Sequence, residues 1–252
     1  EFRRVLFRSS LMVVNNSKVV PVRLLGKKER TGGDVEIFLL NKFNNGNTYQ
    51  ALIRPLRRVR EDEKIIFNGG RIYARLKDRD KRLVEFNRKN IYSFLEKAGH
   101  MPLPPYIKRA DRKEDHTYYQ TVYAKHRGSV ASPTAGLHFT RSQLDTLQKT
   151  GTDIEEVTLH INYATFKPVE EEDITQHNMH TEEYSVSQKT YRAIEKAKKL
   201  NKNIIAVGTT SCRTLESVAV TGKLKGSTNL FIYPGFKFQI TGSLLTNFHL
   251  PC

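Results

Sequence analysis

Residues 203–217 read NIIAVGTTSCRTLES. Asn203–Val207 is a short apolar run, bounded by Gly208 and rich in β-branched residues, which is the pattern of a strand buried on both faces. Three hydroxyl residues follow, Thr209, Thr210 and Ser211, and a helical pattern then runs over Ser211–Thr221. Working outward, the alternation continues. Ser187–Asn201 reads as a helix, Asp153–Tyr163 contains a strand, and Arg141–Gly151 is a helix ended by glycine. LFIYPG, Leu230–Gly235, is a further strand downstream. Helices alternating with strands predict an α/β domain. Asn90–Gly99 forms one short helix ahead of it, and MPLPPYI (101–107) is extended because three prolines fall close together.

The first third of the chain has a different texture. From Leu11 to about Phe86 come six short runs, LMVV, KVVPVRLLG, DVEIFLL, TYQALIRPL, KIIF and RIYARL. Turn signals separate them: Asn15-Asn16, Thr31–Asp34, Asn44–Asn47 and Asn68–Gly70. Six strands at this spacing predict a small antiparallel β-barrel. The sequence thus divides near residue 88, into a β-barrel domain at 11–88 and a larger mixed α/β domain at 89–252.

Of the 252 residues, 38% are hydrophobic and 27% charged, and no run of 18 apolar residues could cross a membrane as a helix. The opening EFRRVLFRSS lacks the apolar stretch of a secretory signal. Cys212 and Cys252 are the only thiols, too few for a disulfide framework or a cysteine metal cluster, and this suits a reducing cytoplasm. The net charge of +16 is concentrated early: residues 1–90 hold 22 Lys+Arg against 10 Asp+Glu, residues 91–252 hold 20 against 16. Such an excess marks a surface facing a polyanion, although charge by itself does not separate RNA from DNA or anionic lipid.

Four segments combine tight turns with polar side chains. In SPTAGLHFT (132–140), the His138 imidazole can serve as acid, base or donor. In MHTEEY (179–184), His180 and Glu182 lie two apart, so a strand would place an imidazole and a carboxylate on one face. His177 precedes them, but a strand would turn it and His180 opposite ways, which disfavours metal ligation. In the opening stretch, strand–Gly208–Thr209–Thr210–Ser211–helix aims N–H groups and hydroxyls at one spot, suited to a carboxylate or a ribose. It lacks both the P-loop lysine and the G-x-G-x-x-G pattern; simple N-capping would use one hydroxyl, not three. The last segment, LFIYPGFKF…TNFHLP (230–251), sets Tyr233, Phe236, Asn247, Phe248 and His249 together. Aromatic rings on a loop can stack an extruded base, while core packing is the default for Phe231, Phe238 and Phe248.

Taken in order, NNSKVVPVRLLG, MPLPPYI, YQTVYAKHRGSVASPTAGLHFT, MHTEEY, VGTTSCRTLES and LFIYPGFKF…TNFHLP resemble the successive signatures of the S-adenosylmethionine:tRNA ribosyltransferase-isomerases of queuosine biosynthesis. The resemblance runs from about Leu11 to Pro251. It implies a small β-barrel beside a larger α/β domain, and the transfer and isomerisation of the ribosyl part of S-adenosylmethionine onto a 7-aminomethyl-7-deazaguanine at the wobble position of tRNA. Products would be epoxyqueuosine-tRNA, adenine and methionine, with no cofactor beyond the co-substrate S-adenosylmethionine and no metal. Apart from the resemblance, the chain is expected to be a monomer. Carried over to these positions, the titratable groups are His138, His180, Glu182 and His249. The substrate-binding positions are Thr134, Gly136, Gly208, Thr209, Thr210, Ser211, Arg213, Tyr233 and Asn247, with Arg213 holding the methionine carboxylate. Which group is base and which acid does not follow from the motifs.

The chain departs from the family pattern in places. Asn162-Tyr163-Ala164 stands where members carry Gly-Ala-Gly, Asn15-Asn16 where they carry Asn-Asp, and Gly242 where they carry Asp. Residues 1–10 do not resemble the family's leading segment and read as a non-native end, so the α/β domain is expected to be incomplete at both chain ends. Two competing classes remain: a non-catalytic RNA-binding relative, and an ordinary methyltransferase, against which the missing glycine-rich loop argues.

Overall fold

The computed structural model describes residues 7, 9–43, 46–104, 106–163 and 179–247. The chain divides into two compact units, residues 1–19 with 117–252, and residues 20–116.

The larger unit begins with β1 (Leu11–Asn15) and β2 (Ser17–Val19). In the smaller unit follow β3 (Arg23–Lys28), β4 (Asp34–Lys42), β5 (Thr48–Arg54), β6 (Lys64–Phe67), β7 (Ile72–Asp78), β8 (Leu83–Phe86) and helix α1 (Tyr92–Ala98). The short helix α2 (Asp115–Tyr118) stands at the return to the larger unit, which then holds β9 (His126–Ser129), α3 (Arg141–Lys149), β10 (Asp153–Leu159), β11 (Glu182–Val186), α4 (Gln188–Lys199), β12 (Ile204–Val207), α5 (Thr209–Thr221), β13 (Lys225–Thr228) and β14 (Ser243–Leu245).

The smaller unit contains a closed antiparallel barrel in the order β3-β4-β5-β8-β7-β6. Strands β3, β5 and β7 alternate more and less buried residues, the pattern of a strand with one face to the barrel interior. Phe67 stacks on Phe86 at 6.1 Å and meets Phe94 of α1 at 5.8 Å. A Cβ on Gly26 would stand 2.6 Å from the Phe67 ring, so only glycine admits that ring. The unit carries 23 Lys+Arg against 13 Asp+Glu, so most of the molecule's positive excess resides here.

A barrel of six strands was expected, but its membership differs. LMVV is not a barrel strand: β1 lies at the centre of the larger unit's sheet, ordered β13-β11-β10-β1-β12-β14. The domain boundaries 11–88 and 89–252 are therefore corrected to an insertion, residues 20–116, within a unit built from both sides of it. The physical reason is visible in the burial. All five residues of β1 are buried, the mark of a strand covered on both faces, whereas barrel strands alternate. Asn15-Asn16 is accordingly a strand end and not a hairpin turn, and β8 supplies the sixth barrel strand.

In the large sheet β1 runs parallel to both β10 and β12, and β12 runs parallel to β14; β11 is antiparallel to β10 and to β13. One face packs Leu11, Val13, Val157, Leu159, Tyr184 and Ile204 against Ile194 of α4 and Leu215 of α5. On the other, Met12, Val14, Tyr123, Ala135 and Val207 pack with Leu144 of α3, and Phe7 lies against this cluster. Local chemistry sets the helix ends: α3 starts in a capping box between Thr140 and Gln143, α4 is capped by Ser187, and α5 stops at left-handed Gly222 (φ 67°). LFIYPG does not form the expected strand. Pro234 and Gly235 (φ 97°) make a turn, and the edge strand is instead the preceding β13.

Candidate active site

Strand order reverses around β1: the chain passes from β1 to β10 on one side, and later to β12 on the other. In open α/β sheets the crevice beyond the carboxyl ends at such a switch point is where ligands bind. Here the ends of β1, β10, β12 and β14, the start of β11 and the end of β13 all reach this edge, since β11 and β13 run as an antiparallel pair beside β10.

The Gly208 turn occupies the centre of the edge. Gly208 has φ 84° and serves as N-cap of α5 without any side-chain cap, so the first-turn N–H groups of a 13-residue helix face outward, where the helix dipole favours anionic or electron-rich groups. The three hydroxyls have separate fates. Ser211 is buried and donates to the Val207 carbonyl at 2.7 Å, Thr210 lies 3.2 Å from the Asn15 amide nitrogen, and Thr209 is exposed at the mouth. N-capping therefore does not explain the hydroxyl run.

Asn15 is the stitch that sequence reasoning missed. Its amide donates to the Leu159 carbonyl and to Thr210 Oγ1, while its carbonyl accepts from the Leu159 and Ser17 N–H groups. One side chain joins β1, β10 and the helix start. Asn16 accounts for its own departure from the family pattern: its amide donates to Glu156 Oε2 at 3.0 Å and accepts from Thr158. An aspartate there would set one carboxylate against another.

The SPTAGLHFT loop comes to the same edge. Residues Thr134–His138 form one 3-10 turn, and a Cβ on Gly208 would lie 3.7 Å from that of Ala135. Gly136 is buried beneath Tyr123, whose hydroxyl would be 1.9 Å from an added Cβ. Thr134 is half-buried and His138 exposed. From the other side, the Gly208 N–H donates to the Leu245 carbonyl at 2.8 Å, which places Asn247 two residues beyond this edge. Glu216, also missed, anchors that approach: fully buried, it accepts the N–H groups of Gln239, Ile240 and Thr241. A carboxylate on the buried face of α5, between Leu215 and Ser217, was the signal.

Two expected roles are corrected. Arg213 points inward, because α5 buries its residues from Ser211 to Val218. Its guanidinium bonds Glu182 at 2.6 Å and the carbonyls of His180 and Thr228 at 2.9 and 3.1 Å. Burial pulls its pKa down and Glu182 pushes it back up; a guanidinium stays charged regardless. Committed in this way, Arg213 is a brace and not the exposed carboxylate clamp the motif suggested. Glu182 likewise does not share an open face with His180. It is buried and accepts from Arg213 and the Asn162 N–H, whereas His180 is exposed just before β11 begins. Tyr233 is exposed and packs on Phe231 with centroids 5.7 Å apart, and Phe238, expected in the core, is half exposed against Phe236. His249, Phe248, His177 and Ala164 lie outside the described residues.

The Gly208 turn, the Ala135 turn and the end of β14 thus meet at one edge. The whole chain, residues 1–252, matches a family model described as queuosine biosynthesis protein. The chain belongs to that family. It is 48% identical to the S-adenosylmethionine:tRNA ribosyltransferase-isomerase of Sulfurihydrogenibium over 95% of its own length and 71% of that protein. To the enzyme of the same name from Clostridioides difficile it is 48% identical, over 95% of the chain and 72% of the relative. A crystal structure of S-adenosylmethionine tRNA ribosyltransferase from Thermotoga maritima is 28% identical and covers all of this chain and 71% of that one, with a TM-score of 0.44. Members of the queuosine biosynthesis family with these names are transferases, and this chain falls in that class. Among the described residues no helix is long and apolar enough to cross a membrane, and no group of three or more His, Cys, Asp or Glu is placed to hold a metal ion.

Proposed function

We propose that this chain transfers and isomerises the ribosyl moiety of S-adenosylmethionine onto a 7-aminomethyl-7-deazaguanine in tRNA, yielding epoxyqueuosine-tRNA, adenine and methionine, with S-adenosylmethionine as sole co-substrate and no further cofactor. The observation that carries the reading is the uncapped start of α5 behind Gly208, held in place by Asn15 and flanked by the Ala135 turn. N–H groups and the Thr209 and Thr210 hydroxyls suit the electron-rich groups of S-adenosylmethionine, its carboxylate or its ribose. With Arg213 occupied, these groups take over the carboxylate role.

Chemistry at such a site needs a base for the carbon beside the sulfonium, an uncharged attacking amine and an acid for departing adenine. His138 and His180 carry exposed imidazoles on motif positions, and they are the groups proposed for proton transfer, with His249 as a third. Glu182 supports them indirectly: it orders Arg213, which binds the His180 carbonyl. The basic smaller unit supplies phosphate contacts for tRNA.

Mixing protein, S-adenosylmethionine and tRNA bearing the deazaguanine precursor should release adenine. S-adenosylhomocysteine would identify a methyltransferase instead, and tRNA binding without either product would identify a binding module.

A further inference from the structure

To one side of the Gly208 turn, on β10, β11 and β13, the sheet has a second concave feature, a groove of about 570 Å³ lined by His126, Thr158, His160, Glu183, Ser185, Lys225 and Ser227, among others. Its origin lies in strand register. Residues of β10, β11 and β13 alternate between the face packed on α4 and α5 and the opposite face. Val157, Leu159, Tyr184 and Val186 take the first. Thr158, Ser185 and Lys225 then form one cross-strand row on the second, and the residue pairs His160–Glu183 and Glu183–Ser227 form the next. The rows stand about 7 Å apart along the strands, with neighbours in a row about 5 Å apart. Under β1 and β12 this same face is apolar and covered by Leu144 of α3, so only the β10-β11-β13 portion is polar and open.

Its chemistry is specific. Lys225 and His126 are exposed, and Glu183 is the carboxylate in the lining. The neighbouring Lys125 and Glu156 neutralise one another at 2.6 Å. His160 is fixed in orientation: a Cβ on Gly128 would lie 2.7 Å from Nδ1, and that nitrogen is buried with no hydrogen-bond partner. Burial also holds the imidazole below its usual pKa, which favours the neutral ring. With Nδ1 facing the Gly128 backbone, Nε2 is the nitrogen left to donate into the groove.

We propose that this groove binds the ribose–phosphate backbone of a single RNA strand, with Lys225, His126 and His160 donating to phosphate oxygens and Glu183 accepting from a ribose 2′-hydroxyl. Two rows of donors with one acceptor match a sugar and its phosphate, and an acceptor aimed at the 2′-position separates RNA from DNA. The proposal rests on the tRNA-directed function above and adds a contact on the larger unit, distinct from the basic barrel.

Fluorescence anisotropy with a labelled single-stranded RNA, the DNA of the same sequence, and tRNA tests it on the full chain. Lys225→Ala should weaken both oligonucleotides about fivefold and lower the salt slope by ~0.7, the share of one phosphate on a single strand. Glu183→Ala, which removes the acceptor, should abolish preference for RNA over DNA. Neither change should alter S-adenosylmethionine binding, because both residues are exposed and away from the Gly208 turn. Wild-type affinity, slope and RNA preference in both variants would overturn the groove while leaving the transferase reading intact. Displacement of RNA from the wild type by millimolar adenosine monophosphate as effectively as by unlabelled RNA would reassign the groove to a free nucleotide and overturn the RNA assignment. Intact RNA binding without adenine release would instead sink the transferase reading and spare the groove.

Discussion

Removing the Arg213 guanidinium should unfold the larger unit before it touches substrate affinity. Arg213→Ala strips the buried Glu182 carboxylate of its cationic partner, and the His180 and Thr228 carbonyls of their donor. Breaking a buried pair from one side costs about 3–5 kcal/mol, a large share of the roughly 5–15 kcal/mol that holds a domain folded. For a unit of this size each kcal/mol shifts the melting temperature by about 2–4 °C, so a fall on the order of 10 °C is expected. Glu182→Gln should also destabilise, because it leaves the guanidinium facing a neutral amide. The double variant Arg213→Met with Glu182→Gln removes both charges and keeps an acceptor for Asn162, so it should melt well above the sum of the two single losses. Thermal unfolding followed by circular dichroism, together with urea titrations of all four proteins, measures the coupling. If Arg213→Ala melts within about 2 °C of wild type, a loss of about half a kcal/mol, and yet loses S-adenosylmethionine binding, the guanidinium faces the ligand and does not brace the fold.

Gly136→Ala should destabilise strongly, since its Cβ would sit 1.9 Å from the Tyr123 hydroxyl, and adding Tyr123→Phe should recover part of the loss. Tyr123→Phe alone should be neutral or stabilising, because that hydroxyl is buried without a partner; a clear loss of stability would reveal a bond the geometry does not show. Glu216→Gln should lower stability by about 1.5–3 kcal/mol, because an amide turns one donor toward backbone donors, and should raise the KM for S-adenosylmethionine more than it lowers kcat. An unchanged unfolding midpoint would dismiss Glu216 as an anchor. Asp115, gripped by Arg109 at 2.7 and 2.8 Å, has its pKa drawn down from 3.8 to about 2. A depressed carboxylate stabilises the fold fully above its unfolded value and loses that contribution as pH falls through the folded one. The stability gap between wild type and Asp115→Asn should therefore be constant above pH 5 and close between about pH 4 and 2; a gap that persists at about pH 2 would contradict the assignment.

Periodicity and turn chemistry made the local elements legible. The buried run before Gly208, the capped helix after Thr140 and the alternating barrel strands each carry their own signal within a dozen residues, so reading them needs no knowledge of what lies across the sheet. The ordered motifs likewise pointed to the family, since each is a contiguous stretch. What the sequence could not rank was partnership at long range. β1 was assigned to the barrel by its position in the chain, although its unbroken burial marks a central strand that pairs with residues 153–157 and 204–207. Arg213 and Glu182 were each read as substrate groups because a charged residue in a motif looks functional until its neighbour is known; 31 residues apart in sequence, they neutralise each other across the packed face of the sheet. Asn15 and Glu216 were passed over for the converse reason, as their value lies in backbone groups more than a hundred and more than twenty residues away. Local propensity is written in neighbouring residues, whereas the pairing of buried charges and amides is set by desolvation, which exists only once the tertiary structure has excluded water from around them.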